Sequence, residues 1–239
     1  MKLIPKYLFF VFFVIQLLIS CTGYKDLPEF NYPVKNVPEL QEVSDGFWIV
    51  GDNKLQKNEF GIWEMYVKGN PLERGIANGK LTEKLMYEQE KVFVSKIEEL
   101  VPSKFQQKIV RGFLRYFNRE LDEHVTNEYK AEIYGISQFT STDFDFVAPL
   151  YWRTLYFHAA HDIGHALQDL AMVGCTSFAA WGNHTADGKM ILGRNFDFYI
   201  NEEFAENKIV AFIHPDEGYK HAIVTWPGFV GAVSGMNEK

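Results

Sequence analysis

Gly174-Cys175-Thr176-Ser177-Phe178, followed one hairpin's length later by Gly193-Arg194-Asn195-Phe196-Asp197-Phe198, is where the character of the chain changes. Downstream, Cys175 to Trp181, Met190 to Phe198, Ile209 to Ile213, His221 to Trp226 and Val230 to Gly235 read as short strands. Ala186-Asp187-Gly188-Lys189 predicts a tight turn joining the first two. Upstream, the apolar residues recur at helical spacing. Helices followed by a run of antiparallel strands predict an α+β fold.

The helical half begins after two short strand-like pieces, Phe47 to Val50 and Ile62 to Val67, with turn chemistry between them at Gly51-Asp52-Asn53 and Lys57-Asn58. From Leu81 the period is helical, with Leu85, Val92, Phe93, Ile97 and Leu100 in one stripe. Pro102-Ser103 breaks it, and Ser103 is placed to cap the next helix. There Phe105, Ile109, Phe113, Phe117 and Leu121 repeat every four residues, a strong amphipathic pattern. Asn127 to Gln138 predicts a third helix, weakened by Gly135, and Phe146 to Leu170 a longer helical region in which Pro149 suits only the first turn.

The 239 residues are 47% hydrophobic, enough for a sizeable core, and 16% aromatic. The formal charge is −7, and an acidic chain without a Lys/Arg cluster argues against a nucleic-acid partner. Residues 1–20 read as a targeting segment: Lys2 and Lys6 precede an apolar run from Tyr7 to Ile19 too short for a stable membrane span. It ends in Leu18-Ile19-Ser20-Cys21, which resembles a bacterial lipobox. By that resemblance Cys21 becomes a lipid-modified first residue, and the protein is exported and membrane-anchored on the bacterial envelope. Residues 21–44, with Pro28, Pro33 and Pro38, read as an extended tether. Residues 45–174 form a mainly helical region and 175–239 a β-rich one.

Cys21 and Cys175 are the two cysteines. With Cys21 acylated, Cys175 is a reactive thiol, an intermolecular partner or an inert buried group. As a nucleophile it needs a base, and no histidine follows at an obviously paired position. Cleavage of the Gly174–Cys175 bond would free an α-amine, whose unperturbed pKa of about 7.7–8.0 suits that task. Asn195 and Asp197 share one strand face and Arg194 lies on the other. Asp197 then orients the amine and Arg194 holds the thiolate or a substrate carboxylate, or both are ordinary charges on an exposed hairpin. Trp181 and Asn195 are candidate substrate contacts. Trp226 reads as a core or pocket aromatic.

A second constellation is His158, His161 and His165, an arc of about 60° on a helix. His161 and His165 stand four apart, as in zinc metalloproteases, with Asp162 where those enzymes place a glutamate. That leaves a metal-dependent hydrolase as an alternative, and a non-catalytic lipid-anchored binding protein as another. His184 reads as an exposed loop residue.

Cys175-Thr176-Ser177, Gly193 to Phe198 and Gly235-Met236-Asn237-Glu238-Lys239 occur in the order found in N-terminal-nucleophile (Ntn) cysteine hydrolases. The chain resembles the acyl-CoA:6-aminopenicillanate acyltransferase family, peptidase family C45, and the related choloylglycine hydrolases and penicillin V acylases. Trp63 to Leu81, with Gly69-Asn70-Pro71-Leu72-Glu73-Arg74-Gly75 and Gly79, resembles the segment that opens the C45 proenzyme, and Glu132-Ile133-Tyr134-Gly135-Ile136 resembles a stretch of that family too. The resemblance implies an αββα sandwich, a propeptide or α-chain ending at Gly174, and autoproteolysis that makes Cys175 the nucleophile, with Arg194 and Asp197 beside it. It implies hydrolysis or acyl transfer at a linear amide C–N bond of a small acylated molecule, with no metal or organic cofactor. It also implies a catalytic domain incomplete at its C-terminal end, since Lys239 comes before the family's oxyanion asparagine and further strands.

Overall fold

The computed structural model describes residues 23–34, 37–159, 175–197 and 202–239. The fold is α+β. Seven strands form a mixed sheet: β1 (Gln41–Ser44), β2 (Phe47–Val50), β3 (Asn53–Lys57), β4 (Trp63–Gly69), β7 (Ile209–Pro215), β8 (His221–Thr225) and β9 (Gly235–Asn237), in that spatial order. β4 and β7 pair in parallel, Trp63 opposite Ile209 and Val67 opposite Ile213, and the other neighbours pair antiparallel. The sheet therefore draws strands from both sides of Cys175. β5 (Thr176–Gly182) and β6 (Gly188–Asn195) form a separate two-stranded hairpin.

Alternation decides which face of the sheet is core. Trp63, Met65 and Val67 on β4, Ile209 and Ala211 on β7, and Ile223 on β8 are buried together with Val50, Leu55, Ala77 and Leu81. Ala77 and Leu81 belong to α1 (Pro71–Leu100), which crosses that face. The helix starts ten residues before Leu81, where the periodicity predicted it. The glycines that obscure its first turns, Gly75 and Gly79, are packing positions rather than breaks. Its start is well specified: Asn70 Oδ1 accepts from Glu73 N at 3.1 Å, Glu73 Oε2 accepts from Asn70 N at 3.3 Å, and Pro71 occupies the first turn. On the opposite face Phe212, Val224 and Met236 remain exposed.

Ser103 caps α2 (Lys104–Phe117) as its position predicts. α3 (Asn127–Ser137) packs across α1, and α4 (Leu150–His158) follows Pro149, which is its N-cap. Tyr151, Trp152 and Leu155 of α4 join Ile133 of α3 and Ala148 in a second core. The fully buried Arg153 ties the connections together through Glu90, Asp145, and the Ala148 and Ser141 carbonyls. A short helix α5 (Glu202–Glu206), not anticipated from the sequence, precedes β7.

Two expectations need correction. Residues 23–34 and 37–40 carry no regular structure but are docked, and 41–44 are β1: Tyr24 packs 6.0 Å from the Trp152 ring, Lys25 pairs with Asp122 and Glu123, and Asn70 Nδ2 donates to the Pro33 carbonyl. Residues 230–234 are irregular, and the last strand is three residues from Gly235. No helix of the described residues is long and apolar enough to cross a membrane.

Candidate functional site

The β5–β6 register places the cysteine. Thr176 pairs with Asn195, Ser177 with Arg194 and Phe178 with Gly193. Cys175 precedes Thr176, so one further step of this register sets it opposite Phe196, between Asn195 and Asp197. It is exposed and forms no disulfide. The nucleophile candidate thus sits at the open end of the hairpin, where β6 has just ended.

Alternation sorts its neighbours. Asn195 Nδ2 donates to Asp197 Oδ1 at 2.9 Å, so these two side chains meet on one side. The Arg194 guanidinium lies over the Phe196 ring, 5.2 Å from its centroid, on the other. Arg194, Asn195 and Asp197 therefore share one end of the hairpin with Cys175, while cation and carboxylate point to different sides of the strand. Such a carboxylate, aimed by an amide, is suited to hold an ammonium or an amine proton.

The other end of the hairpin is remote. Trp181 lies at a register shift between Ala180 and Gly182, six residues from Cys175. At the rise of an extended strand that is about 20 Å away, so the hairpin does not bring Trp181 to the cysteine. A five-residue connection, 183–187, replaces the tight turn predicted at 186–189. His184 is exposed in it, its N–H donating to the Trp181 carbonyl. Phe178 lies across Gly193 so closely that a Cβ there would meet its ring at 2.2 Å. Phe178 and Ile191 on one face of the hairpin, and Leu192 on the other, are all exposed.

Behind the open end stands an aromatic cluster the sequence did not reveal as one unit. Phe196 packs on Trp226 at 5.5 Å, Trp226 on Phe204 at 5.5 Å and on Phe229 at 6.1 Å, and Phe204 meets Phe93 edge-on. The Phe229 ring stacks on His158 at 4.4 Å. His158 Nδ1 contacts the Thr154 carbonyl at 2.7 Å, and Val230 N donates to its Nε2 at 2.9 Å. A carbonyl only accepts and an amide N–H only donates, so the ring is neutral with its proton on Nδ1. Burial drives its pKa down to about 4, against the pull of the Thr154 carbonyl. His158 is thus a structural staple between α4 and the segment after β8.

His161 and His165, the alternative metal ligands, lie outside the described residues, as do Gly174 and Cys21. Among the described residues no group of three His, Cys, Asp or Glu side chains is placed to hold a metal ion.

No protein-family model matches the chain. An uncharacterized protein of Archaeoglobus fulgidus is 28% identical over 199 aligned residues, which cover 74% of this chain and 31% of the relative. Protein dcd1B of Dictyostelium discoideum is 20% identical over 229 residues, covering 87% of this chain and 42% of its own length. The chain is similar to both and spans under half the length of each.

Proposed function

We propose that the protein is an autoproteolytic cysteine amidohydrolase or acyltransferase of the Ntn type, acting on a linear amide of a small acylated molecule. The observation that carries this reading is the exposed Cys175 at the head of β5, with the Asn195–Asp197 pair at the adjoining end of β6. Cleavage of Gly174–Cys175 gives Cys175 a free α-amine. That amine takes the thiol proton as Sγ attacks the acyl carbon, and returns it to the departing amine. Water or an acceptor amine then resolves the thioester. Asp197 holds the ammonium form in place, and Arg194 attracts an anionic substrate group or the thiolate.

An αββα sandwich is the fold we infer around this site. The seven-stranded sheet buries one face against α1 and leaves Phe212, Val224 and Met236 bare on the other. The hairpin carries exposed apolar residues on both faces, the pattern of strands that lie between two layers. We further propose lipid modification at Cys21 and placement on the bacterial envelope, for which metabolic labelling with an alkyne fatty acid and its loss in Cys21→Ser is the test.

The decisive experiment is the intact mass of the full chain beside Cys175→Ala. The reading expects two fragments meeting between Gly174 and Cys175, and one uncut chain in the variant. An uncut wild-type chain, or cleavage that persists in the variant, removes the basis for Cys175 as an N-terminal nucleophile.

A further inference from the structure

Two pairs of residues spaced four apart meet where α1 crosses α3. Arg74 and Asn78 lie on one face of α1, Glu128 and Glu132 on one face of α3. The approach is close because Gly75 lies against the Glu132 backbone. Between the two helices and β4, β7 and β8 is a cavity of about 50 Å³, with these four side chains as its polar wall. Val67, Ile213, Phe229 and Val230 give it an apolar one. Arg74, Asn78 and Glu132 are 3%, 5% and 7% exposed, so their polar atoms have to be answered within the protein or from the cavity.

Accounting for those atoms leaves acceptors facing the space. Arg74 spends Nε on Glu132 Oε1, Nη1 on the Gly69 carbonyl at 2.9 Å and Nη2 on Glu128 Oε1 at 2.9 Å. Among the described residues nothing donates to Glu132 Oε2. Thr82 Oγ1 stands 2.7 Å from the Asn78 backbone carbonyl oxygen and 3.1 Å from the Asn78 side-chain amide. The single hydroxyl proton goes to the nearer oxygen. The amide then offers its NH₂ to the hydroxyl lone pair and turns its oxygen to the cavity.

Charge points the same way. One guanidinium stands against two carboxylates, and Glu128 is half-exposed at the rim. Burial, with Glu128 adding to it, pushes the Glu132 carboxyl up to about 7 even with Arg74 on it, so the site is short of positive charge.

We propose that this cavity binds a short primary alkylammonium ion, its N–H groups donating to Glu132 Oε2 and the Asn78 amide oxygen and its alkyl chain lying against Phe229 and Val230. A carboxylate ligand would be repelled, an alcohol would leave the second carboxylate unanswered, and a bare alkali ion would leave the apolar wall unused. The site does not depend on the chemistry assigned to Cys175. Amines are also what amide cleavage releases, so binding is measured without turnover.

The test is calorimetric titration of the full chain at about pH 8, above the Glu132 value. The probes are propylammonium, propionate, propanol and potassium ion at constant ionic strength, with the Arg74 Nε–H resonance as the local readout. Saturable binding of propylammonium alone, with a shift of that resonance, is expected. Glu132→Gln keeps the volume and removes the charge, and should weaken binding by about tenfold or more. Glu128→Gln leaves the buried pair intact and should weaken it by about threefold. This second variant carries the test if circular dichroism shows Glu132→Gln to be misfolded. No saturable binding, equal binding of propionate, propanol or potassium, an unmoved Arg74 resonance, or undiminished affinity in the folded variants would overturn the proposal.

Discussion

Gly75 and Gly135 meet backbone to backbone where α1 crosses α3. A Cβ on Gly135 would lie 2.9 Å from Gly75 Cα and 2.7 Å from Ile76 N, and a Cβ on Gly75 would meet the Glu132 carbonyl at 2.3 Å. Alanine is the better helix former by about 1 kcal/mol, yet the helices cannot stay this close with a methyl between them. Gly135→Ala is therefore expected to destabilise the protein by about 1–3 kcal/mol. Urea unfolding followed by circular dichroism measures it; equal or greater stability would mean that the crossing relaxes freely.

The same pair shows why part of the fold could be read from the sequence and part could not. Strand cores such as Phe47–Val50 and Ile209–Ile213 are visible because their period is set by the chain alone. The first turns of α1 are hidden because Gly75 and Gly79 look like breakers until the facing α3 backbone is known. At the candidate site, alternation correctly separated Arg194 from Asn195 and Asp197. It could not foresee that Phe196 joins Trp226, Phe204 and Phe229, which are brought together by tertiary folding. The period of α2 was legible, but its outward direction, with Phe105, Phe113 and Phe117 exposed, was not, since a wheel has no arrow until a neighbour is known.

Arg153 is a second point where packing and charge are inseparable. It is fully buried and donates to Glu90 Oε1 at 2.9 Å and Asp145 Oδ1 at 2.8 Å. Burial holds the Glu90 carboxyl above its usual range despite the attraction of Arg153. Arg153→Met would fill much of the space but strand Glu90, and is expected to cost about 3–5 kcal/mol. Adding Glu90→Gln should restore part of that loss. Denaturation of the two variants in parallel reads the difference; no recovery in the double variant would place the cost in the Ser141 and Ala148 carbonyls instead.

Acid should act on two groups in opposite directions. His158 has its folded pKa lowered to about 4, so its contribution is present above the ordinary histidine value of about 6.5 and is lost as pH falls toward 4. Glu132 is raised to about 7 by burial, against its pairing with Arg74, so its contribution is present below 4.5 and is lost as pH rises through 7. Between these limits the terms partly cancel. In Glu132→Gln this acid-strengthened term is gone, and stability should fall more steeply on acidification from about pH 6.5 than it does in the parent chain. In His158→Phe, which keeps a ring against Phe229, the acid-weakened term is gone and stability should shift the other way, gaining on acidification relative to the parent chain. Urea titrations across that range decide it, and unchanged slopes would remove both assignments.

The open end of the hairpin gives the most direct test of the proposed chemistry. Asp197 receives the Asn195 amide at 2.9 Å, so Asn195→Ala removes the group that aims the carboxylate without removing the charge. Asp197→Asn removes the charge itself. If Asp197 holds the Cys175 amine, Asp197→Asn should slow amide turnover by about 10²–10³-fold, the scale of losing one preorganised electrostatic partner, and Asn195→Ala by less. Trp181→Ala, about 20 Å along the strand, should leave the rate unchanged. Turnover is followed as release of a primary amine from an acyl-amide probe, with circular dichroism confirming each fold. A Trp181→Ala defect as deep as that of Asp197→Asn would move the reacting centre away from the end where Cys175 stands.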